Sequence, residues 1–523
     1  MAQKPKPREE KSPLLSSDNE DVTSHHQYSS INKDERDEQI KNVLSEESIN
    51  DTDVIIERTH EIKVYKRRWY VLLLFSCFAA AQGGIWNTWG PISDSSKDAF
   101  GWNDGDIALL SNWGPISYLI SGIFFSWMID VKGLRVAAVT SCFLVTAGAG
   151  VRCITSTPPG STWLIHLGQI LCGFSGPVGM GGGPALSAVW FPANERTTST
   201  AVCNAINGLG VAFSFIIGPL LVPSPNITET NSTFINSTKL DYFQSANFSN
   251  SSTSMRISQE RKDIMFLMYI EFGGTLLVFL MMLIYFPKKP PLPPCASATI
   301  KRQDFWKGLK DLFKCKQFWY IATAYGTSLG VINVWTGIID VNLSPLGVSQ
   351  NEAGWIGFYS TCAACVAALV VARFADVFSK RLKLFIFILY TVGTVFIIWF
   401  ALASAQILPT STAVFYLTVI MGVMALNASV PLLFELACEL AYPIGEGTTN
   451  GVMTILNNLG GLIFLFILMI PNIGTMWMNW TLIGATVVCF PLYGMLKETY
   501  NRLDIDEDKT LNSNVTVITK SHA

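Results

Sequence analysis

Apolar stretches long enough to cross a bilayer recur along this chain, and that recurrence limits its fold more than any single motif. About twelve such runs are readable, near 69–92, 106–129, 134–155, 162–190, 198–222, 264–286, 317–340, 352–376, 381–404, 411–435, 449–472 and 475–496. In hydrocarbon the backbone must satisfy its own hydrogen bonds, so runs of this length are expected to be helices. The composition agrees. Of 523 residues only 15% are charged, against about 25% in soluble domains. The expected fold class is an all-α membrane protein of 12 transmembrane helices in two six-helix bundles.

The charges between the runs set an orientation. Lys63, Lys66, Arg67 and Arg68 precede the first run. Lys288, Lys289, Lys301, Arg302, Lys307, Lys310, Lys314 and Lys316 fill the connector between the sixth and seventh, whereas the loops at 341–351, 405–411 and 471–476 carry no Lys or Arg. Cytoplasmic loops are the basic ones, so both termini and the connector are expected in the cytoplasm. The expected domains are a disordered cytoplasmic tail (1–62), an N-terminal bundle (63–286) with a lumenal loop at 223–263, the basic connector (287–316), a C-terminal bundle (317–497) and a cytoplasmic tail (498–523). The lumenal loop holds five glycosylation acceptors, Asn226, Asn231, Asn236, Asn247 and Asn250, each followed by x-Ser/Thr. The N-terminal tail carries Glu10 four residues before Leu14 and Leu15. That spacing resembles the acidic dileucine signal by which clathrin adaptor complexes sort proteins to endosomes and lysosomes.

The first run changes character along its length. After WYVLLLFSCFAAA it continues with Gln82, Gly83, Gly84, Trp86, Asn87, Trp89, Gly90 and Pro91. Amides, glycines and proline suit a helix facing other helices or a wet cavity better than one facing lipid. Trp86 is placed to line such a cavity; Trp89 has two readings, cavity wall or interfacial belt. Ionisable groups inside spans are costly and are kept for function or pairing. Glu435 and Glu439, four residues apart on one helix face, and Glu271 in the sixth run are candidates for proton coupling, because a poorly hydrated carboxylate holds its proton more tightly. A structural ion pair or gate is the competing reading. Arg152 is expected to snorkel to the lumenal surface, and His166 to play a structural part. The 11 cysteines fall mostly within apolar runs, where they act as small hydrophobes; this includes the CxxC at Cys362 and Cys365. No metal site, cofactor site or nucleic-acid-binding feature is readable, and no HExxH, P-loop or nucleophile elbow occurs in any loop, so an enzyme is not expected.

Asp130, Lys132 and Arg135 follow the second run, and Arg373 and Asp376 follow the eighth. An acid at a helix end beside basic residues can pair with them or cap a neighbouring helix, holding one conformation. These segments resemble the duplicated loop signature of the major facilitator superfamily, with Ser126 in place of the leading glycine and a more degenerate second copy. Further stretches resemble one branch of that superfamily, solute carrier family 49: Trp86–Ile92, Asn112–Ile116, Arg152–Ile154, Trp190–Arg196, Ala353–Phe358, Ala372–Asp376, Phe434–Leu436, Tyr442-Pro443 and Glu446-Gly447. The resemblance covers about residues 63 to 500, and what it implies is two bundles rocking around a midplane site.

It further implies a lysosomal transporter that exports pyridoxine, a form of vitamin B6, to the cytosol together with protons. By position it places Trp86, Asn207, Asn333 and Asn458 at the substrate site, with Trp335 near Asn333. Asn333 stands where relatives carry an aromatic and Asn458 where they carry glutamine. Both departures suit a neutral hydroxylated ring better than a quaternary cation, which asks for aromatic faces. A facilitative choline or haem carrier, or a non-transporting receptor or scaffold on the same fold, is the alternative.

Overall fold

The computed structural model describes residues 62–223, 239–299, 302–348, 350–378, 380–468, 470 and 474–507. The dileucine motif and Asn226, Asn231 and Asn236 lie outside the described residues. In chain order the long helices are α1 (Arg68–Trp86), α2 (Asp104–Trp127, continued by a π-turn at Met128–Lys132), α3 (Leu134–Arg152), α4 (Gly160–Trp190), α5 (Arg196–Leu221), α6 (Lys239–Ile284), α7 (Lys316–Gly337), α8 (Gln350–Val377), α9 (Leu382–Ser404), α10 (Thr412–Ala428, continued by Val430–Ala441), α11 (Glu446–Leu468) and α12 (Met476–Val487, continued by Cys489–Met495). No strand occurs among the described residues.

Among the described residues, ten of these helices are long and apolar enough to cross a membrane. The other two, α4 and α7, have 31 and 22 residues but are less apolar. The cause is packing. α4 contains Pro177 and Pro184 and is rich in glycine, and most of it is buried against neighbouring helices. Hydropathy registers what lipid would touch, and a helix screened by other helices is relieved of that demand.

Three apolar clusters hold the molecule together. One lies in the first half, around Phe75, Phe78, Val178 and Leu186. A larger one lies in the second half, around Leu329, Phe400, Leu432 and Phe434. The third joins a short helix, Ser93–Phe100, to α6 through Trp89, Phe100, Trp102, Ile264 and Met268. That third cluster explains a departure from expectation. The segment 239–263, read as loop, is the first part of α6. Its basic side chains reach the short helix: Arg261 donates to the Ala99 carbonyl at 2.6 Å, and Arg256 pairs with Asp98 at 3.0 Å. The expected acceptors Asn247 and Asn250 therefore fall on helical backbone.

The halves meet along two seams, α2 against α11 and α5 against α8. Both seams run to the end of the molecule that bears the basic connector, called here the connector face. The segment after α12, read as tail from 498, begins as ordered structure. It ends in a short helix, α13 (501–507). Tyr500 is buried beside Leu382, whose backbone N–H donates to the Tyr500 hydroxyl at 3.0 Å.

Candidate functional site

The signature aspartates do the same thing at both seams. Asp130, at the end of α2, accepts from the backbone N–H groups of Gly447 and Thr448 at 2.9 and 2.7 Å and from the Thr448 hydroxyl at 2.5 Å. Asp376, at the end of α8, accepts from the backbone N–H groups of Thr197 and Thr198 at 3.1 and 2.8 Å and from the Thr198 hydroxyl at 2.5 Å. Each carboxylate thus sits on the first turn of a helix in the other half of the molecule, where N–H groups have no partner within their helix and the helix dipole favours an anion. The basic members of the signature stand outside this contact. Lys132 lies over the Trp127 ring at 5.6 Å; Arg135 is half-buried and Arg373 exposed.

Above Asp130 the α2–α11 seam closes on small residues. A Cβ at Gly451 would strike Ser126, and one at Gly122 would meet Ile455 at 2.7 Å. At the top of this ladder the Tyr118 hydroxyl is hydrogen-bonded to Thr454 across the seam. Tyr118 is fully buried, and its ring neighbours that of Trp86 over Gly176. The Trp86 indole occupies a slot that exists only because position 114 is glycine: a Cβ there would overlap the ring. Gln169 fixes the end of α1 by donating to the Trp86 carbonyl at 3.2 Å. On the other side of the seam, Asn458 donates to the Thr454 carbonyl at 2.9 Å. Trp86 and Asn458 are thereby connected through Tyr118 and Thr454, each pair on its own side of the seam.

The other nominated residues are placed differently. Asn207 donates to the Ala79 carbonyl at 2.9 Å and ties α5 to α1. Asn333 is exposed on α7. Trp89 is buried edge-on to Trp102, with centroids 5.4 Å apart. Trp335 is buried edge-on to Phe400 at 5.1 Å, beside a small apolar void. Both of these indoles serve the apolar clusters of their own regions. Sequence reasoning passed over Tyr118, Thr454 and Gln169. Only Gln169, an amide in a glycine-rich run, carried a signal of its own. Several buried polar atoms, among them Gln82 Nε2, Asn112 Oδ1, Gln169 Oε1 and Asn457 Nδ2, make no hydrogen bond within the described residues, which in a folded protein points to water or ligand as the partner.

Arg152, Glu271, Glu435 and Glu439 are all engaged. Arg152, expected at the surface, is fully buried and pairs with Glu271 at 2.8 Å. The short reach from α3 to α6 inside the bundle offers a stronger partner than the headgroups. Thr88, two residues past Trp86, donates to the other oxygen of Glu271 at 2.6 Å. Trp113 donates to Nδ1 of His166 at 2.9 Å. Glu435 and Glu439 converge on Arg502 of α13, which also meets Glu446 at 3.3 Å. Burial works against the Arg502 charge, but the Glu435 and Glu439 carboxylates outweigh it and raise its pKa well above the ordinary arginine value. Arg302 of the connector pairs with Glu446 at 2.6 Å.

Comparison with known proteins accords with this architecture. Residues 71–465 match the Major Facilitator Superfamily. The solute carrier family 49 member 4 homolog of Xenopus tropicalis is 38% identical over 448 residues, 85% of this chain and 94% of that protein. The choline/ethanolamine transporter FLVCR2 of Homo sapiens is 27% identical over 484 residues, 88% and 85% of the two chains. Among solved structures, the transporter FucP in the outward conformation superposes with a TM-score of 0.59 at 14% identity, over 82% of this chain and 99% of that one. A fold built on two seams capped by duplicated aspartates, and these relatives, lead to one conclusion: the chain belongs to the major facilitator superfamily and, within it, to the transporters of solute carrier family 49.

Proposed function

We propose that this transporter exports pyridoxine from the lysosomal lumen to the cytosol in step with protons, with the connector face and both termini cytoplasmic. The observation that carries the reading is the meeting of Trp86, Tyr118, Thr454 and Asn458 where the two halves join. A hydroxylated pyridine ring asks for one aromatic face and several hydrogen-bonding groups. Trp86 offers the face; Tyr118, Thr454 and Asn458 offer the polar groups, and Asn333 a further amide from the second half. Asn207 acts through α1, holding Trp86 in place. The connector face is sealed by both aspartates, so the site is poised for loading from the lumen.

For the coupled proton, Glu271 is the strongest candidate among the intramembrane acids, because Thr88 links it to the end of the helix that carries Trp86. Protonation in an acid lumen weakens its hold on Arg152 and Thr88, and release to a neutral cytosol restores it. Glu435 and Glu439, engaged by Arg502 at the connector face, belong to the gate instead. A second reading, choline or ethanolamine transport, is favoured by the FLVCR2 relatives, which are choline/ethanolamine transporters, and by the indole face, which also suits a cation.

Uptake by cells expressing the Leu14→Ala, Leu15→Ala double variant, which should display the protein at the cell surface if the dileucine signal sorts it, separates these readings. Labelled pyridoxine should enter faster at about pH 5 than at about pH 7.5 outside. Trp86→Ala and Asn458→Ala should each weaken apparent affinity by roughly ten- to a hundredfold. Glu271→Gln should flatten the pH dependence more than it reduces uptake. Uptake of choline without pyridoxine would replace the substrate, and pH-independent pyridoxine uptake would remove the proton.

A further inference from the structure

We propose that α13 is a bolt across the cytoplasmic face, held permanently by the second half and detachably by the first. The orientation rests on the topology proposed above; the contacts do not. Arg502, 1% exposed, anchors the bolt in the second half. Its Nε pairs with Glu439 at 3.0 Å, its Nη1 with Glu446 at 3.3 Å and its Nη2 with Glu435. Glu439 also accepts from the backbone N–H groups of Arg502 and Leu503 at 2.9 and 3.2 Å. On the outer side Lys380 pairs with Asp504 at 3.0 Å and Glu507 at 2.8 Å, so the short helix is fixed from two directions.

One turn beyond Arg502, Asp506 reaches the first half. It pairs with Arg196 at 3.1 Å and accepts from the backbone N–H and the hydroxyl of Ser297 at 2.6 and 2.9 Å. Arg196 in turn donates to the Ser297 hydroxyl at 2.7 Å. Arg196 directly precedes Thr197 and Thr198, the residues that hold Asp376. The bolt therefore grips the first half at the foot of the α5–α8 seam. Opening the cytoplasmic side separates α5 from α8 and α2 from α11, and the Asp506 contact must break with them. The Arg502 contacts need not, because their partners lie on α10 and α11, in the half that carries α13. This asymmetry assigns distinct parts: Arg502 positions the arm, and Asp506 is the end that releases. Both ends are buried, and a buried ion pair that loses one partner leaves an uncompensated charge behind, so closure and pairing support each other.

Cys365 supplies the readout. It is buried on α8 in the α5–α8 seam, with its thiol donating to the Ala205 carbonyl at 3.3 Å. The full-length protein in permeabilised membranes is treated with a water-soluble maleimide, and alkylation of Cys365 is followed by mass spectrometry. Asp506→Asn, which leaves Arg502 and its partners untouched, should label about tenfold faster than the parent protein. Truncation after residue 500 should label at least as fast, and a free peptide of residues 497–507 added to the truncated protein should slow it again. Arg502→Gln should match the truncation where it folds; Asp506→Asn decides the matter where it does not. Unchanged Cys365 labelling in both Asp506→Asn and the truncated protein overturns the bolt. The measurement needs no substrate, so it stands or falls independently of pyridoxine transport.

Discussion

The two seams carry the same aspartate cap but close in different ways. Along α2 and α11 closure is a matter of shape: Gly122, Ser126, Gly447 and Gly451 let the helices approach until a single added Cβ would collide, and Tyr118 tops the ladder with one hydrogen bond. Along α5 and α8 the helices touch through Gly208 and Cys365, and the foot of the seam is reinforced by Arg196, Asp506 and the α13 bolt. One seam is packed and the other is charged. Close packing between membrane helices rewards small residues and is indifferent to salt, whereas the exposed pairs of Lys380 with Asp504 and Glu507, which steady α13 at the foot of the other seam, weaken as ionic strength rises. A transporter that must open both seams together gains two independent handles on one equilibrium.

The largest expected effect comes from the packed seam. Gly451→Val drives a branched side chain to within 1.8 Å of Ser126, an overlap whose cost lies at or above the top of the usual overpacking range, about 3 kcal/mol. Cys365 alkylation should rise even though the substitution lies in the other seam; unchanged labelling would mean the seams open independently. Next come the caps. Asp130→Asn and Asp376→Asn each remove a charged acceptor from two backbone donors, a loss on the order of 1.5–3 kcal/mol. Their labelling rates should rise to a similar degree, but added salt should have a smaller further effect in Asp376→Asn, whose neighbouring ion pairs are already strained open. Equal salt dependence in the two variants would erase the distinction drawn here. The smallest effect is expected from Tyr118→Phe, which keeps the ring beside Trp86 and loses only the bond to Thr454. About 1 kcal/mol or less is at stake, seen as a modest rise in labelling with apparent substrate affinity reduced severalfold. Parent-like affinity would remove Tyr118 from the proposed site.

Much of the architecture was legible because a bilayer imposes a one-dimensional rule. Runs of apolar length mark helices. The rule weakens for α4 and α7, which lipid scarcely touches, and at the start of α6, where polar residues continue a helix because Arg256 and Arg261 find partners on the short helix Ser93–Phe100. Where the nominated residues would lie was legible only in part. Trp86 and Trp89 are three residues apart and chemically alike, yet one fits a slot made by Gly114 and the other fills an apolar cluster. Nothing local separates them, because the difference lies in what α2 and the short helix bring alongside. Arg152 was misplaced for a related reason: its partner Glu271 is 119 residues away.

The sequence by itself determined that this chain crosses a membrane many times, that its halves repeat a pattern, and that an acid ends α2 and α8. Those facts follow from hydropathy, charge and spacing, all of them properties of neighbours along the chain. Only the tertiary structure decided that Asp130 and Asp376 cap helices of the opposite half, that Arg502 gathers Glu435, Glu439 and Glu446, and that Asp506 reaches Arg196. The reason is physical: in a low-dielectric interior a charge settles with whichever partner folding brings within reach, and helix packing brings in partners far away in the chain.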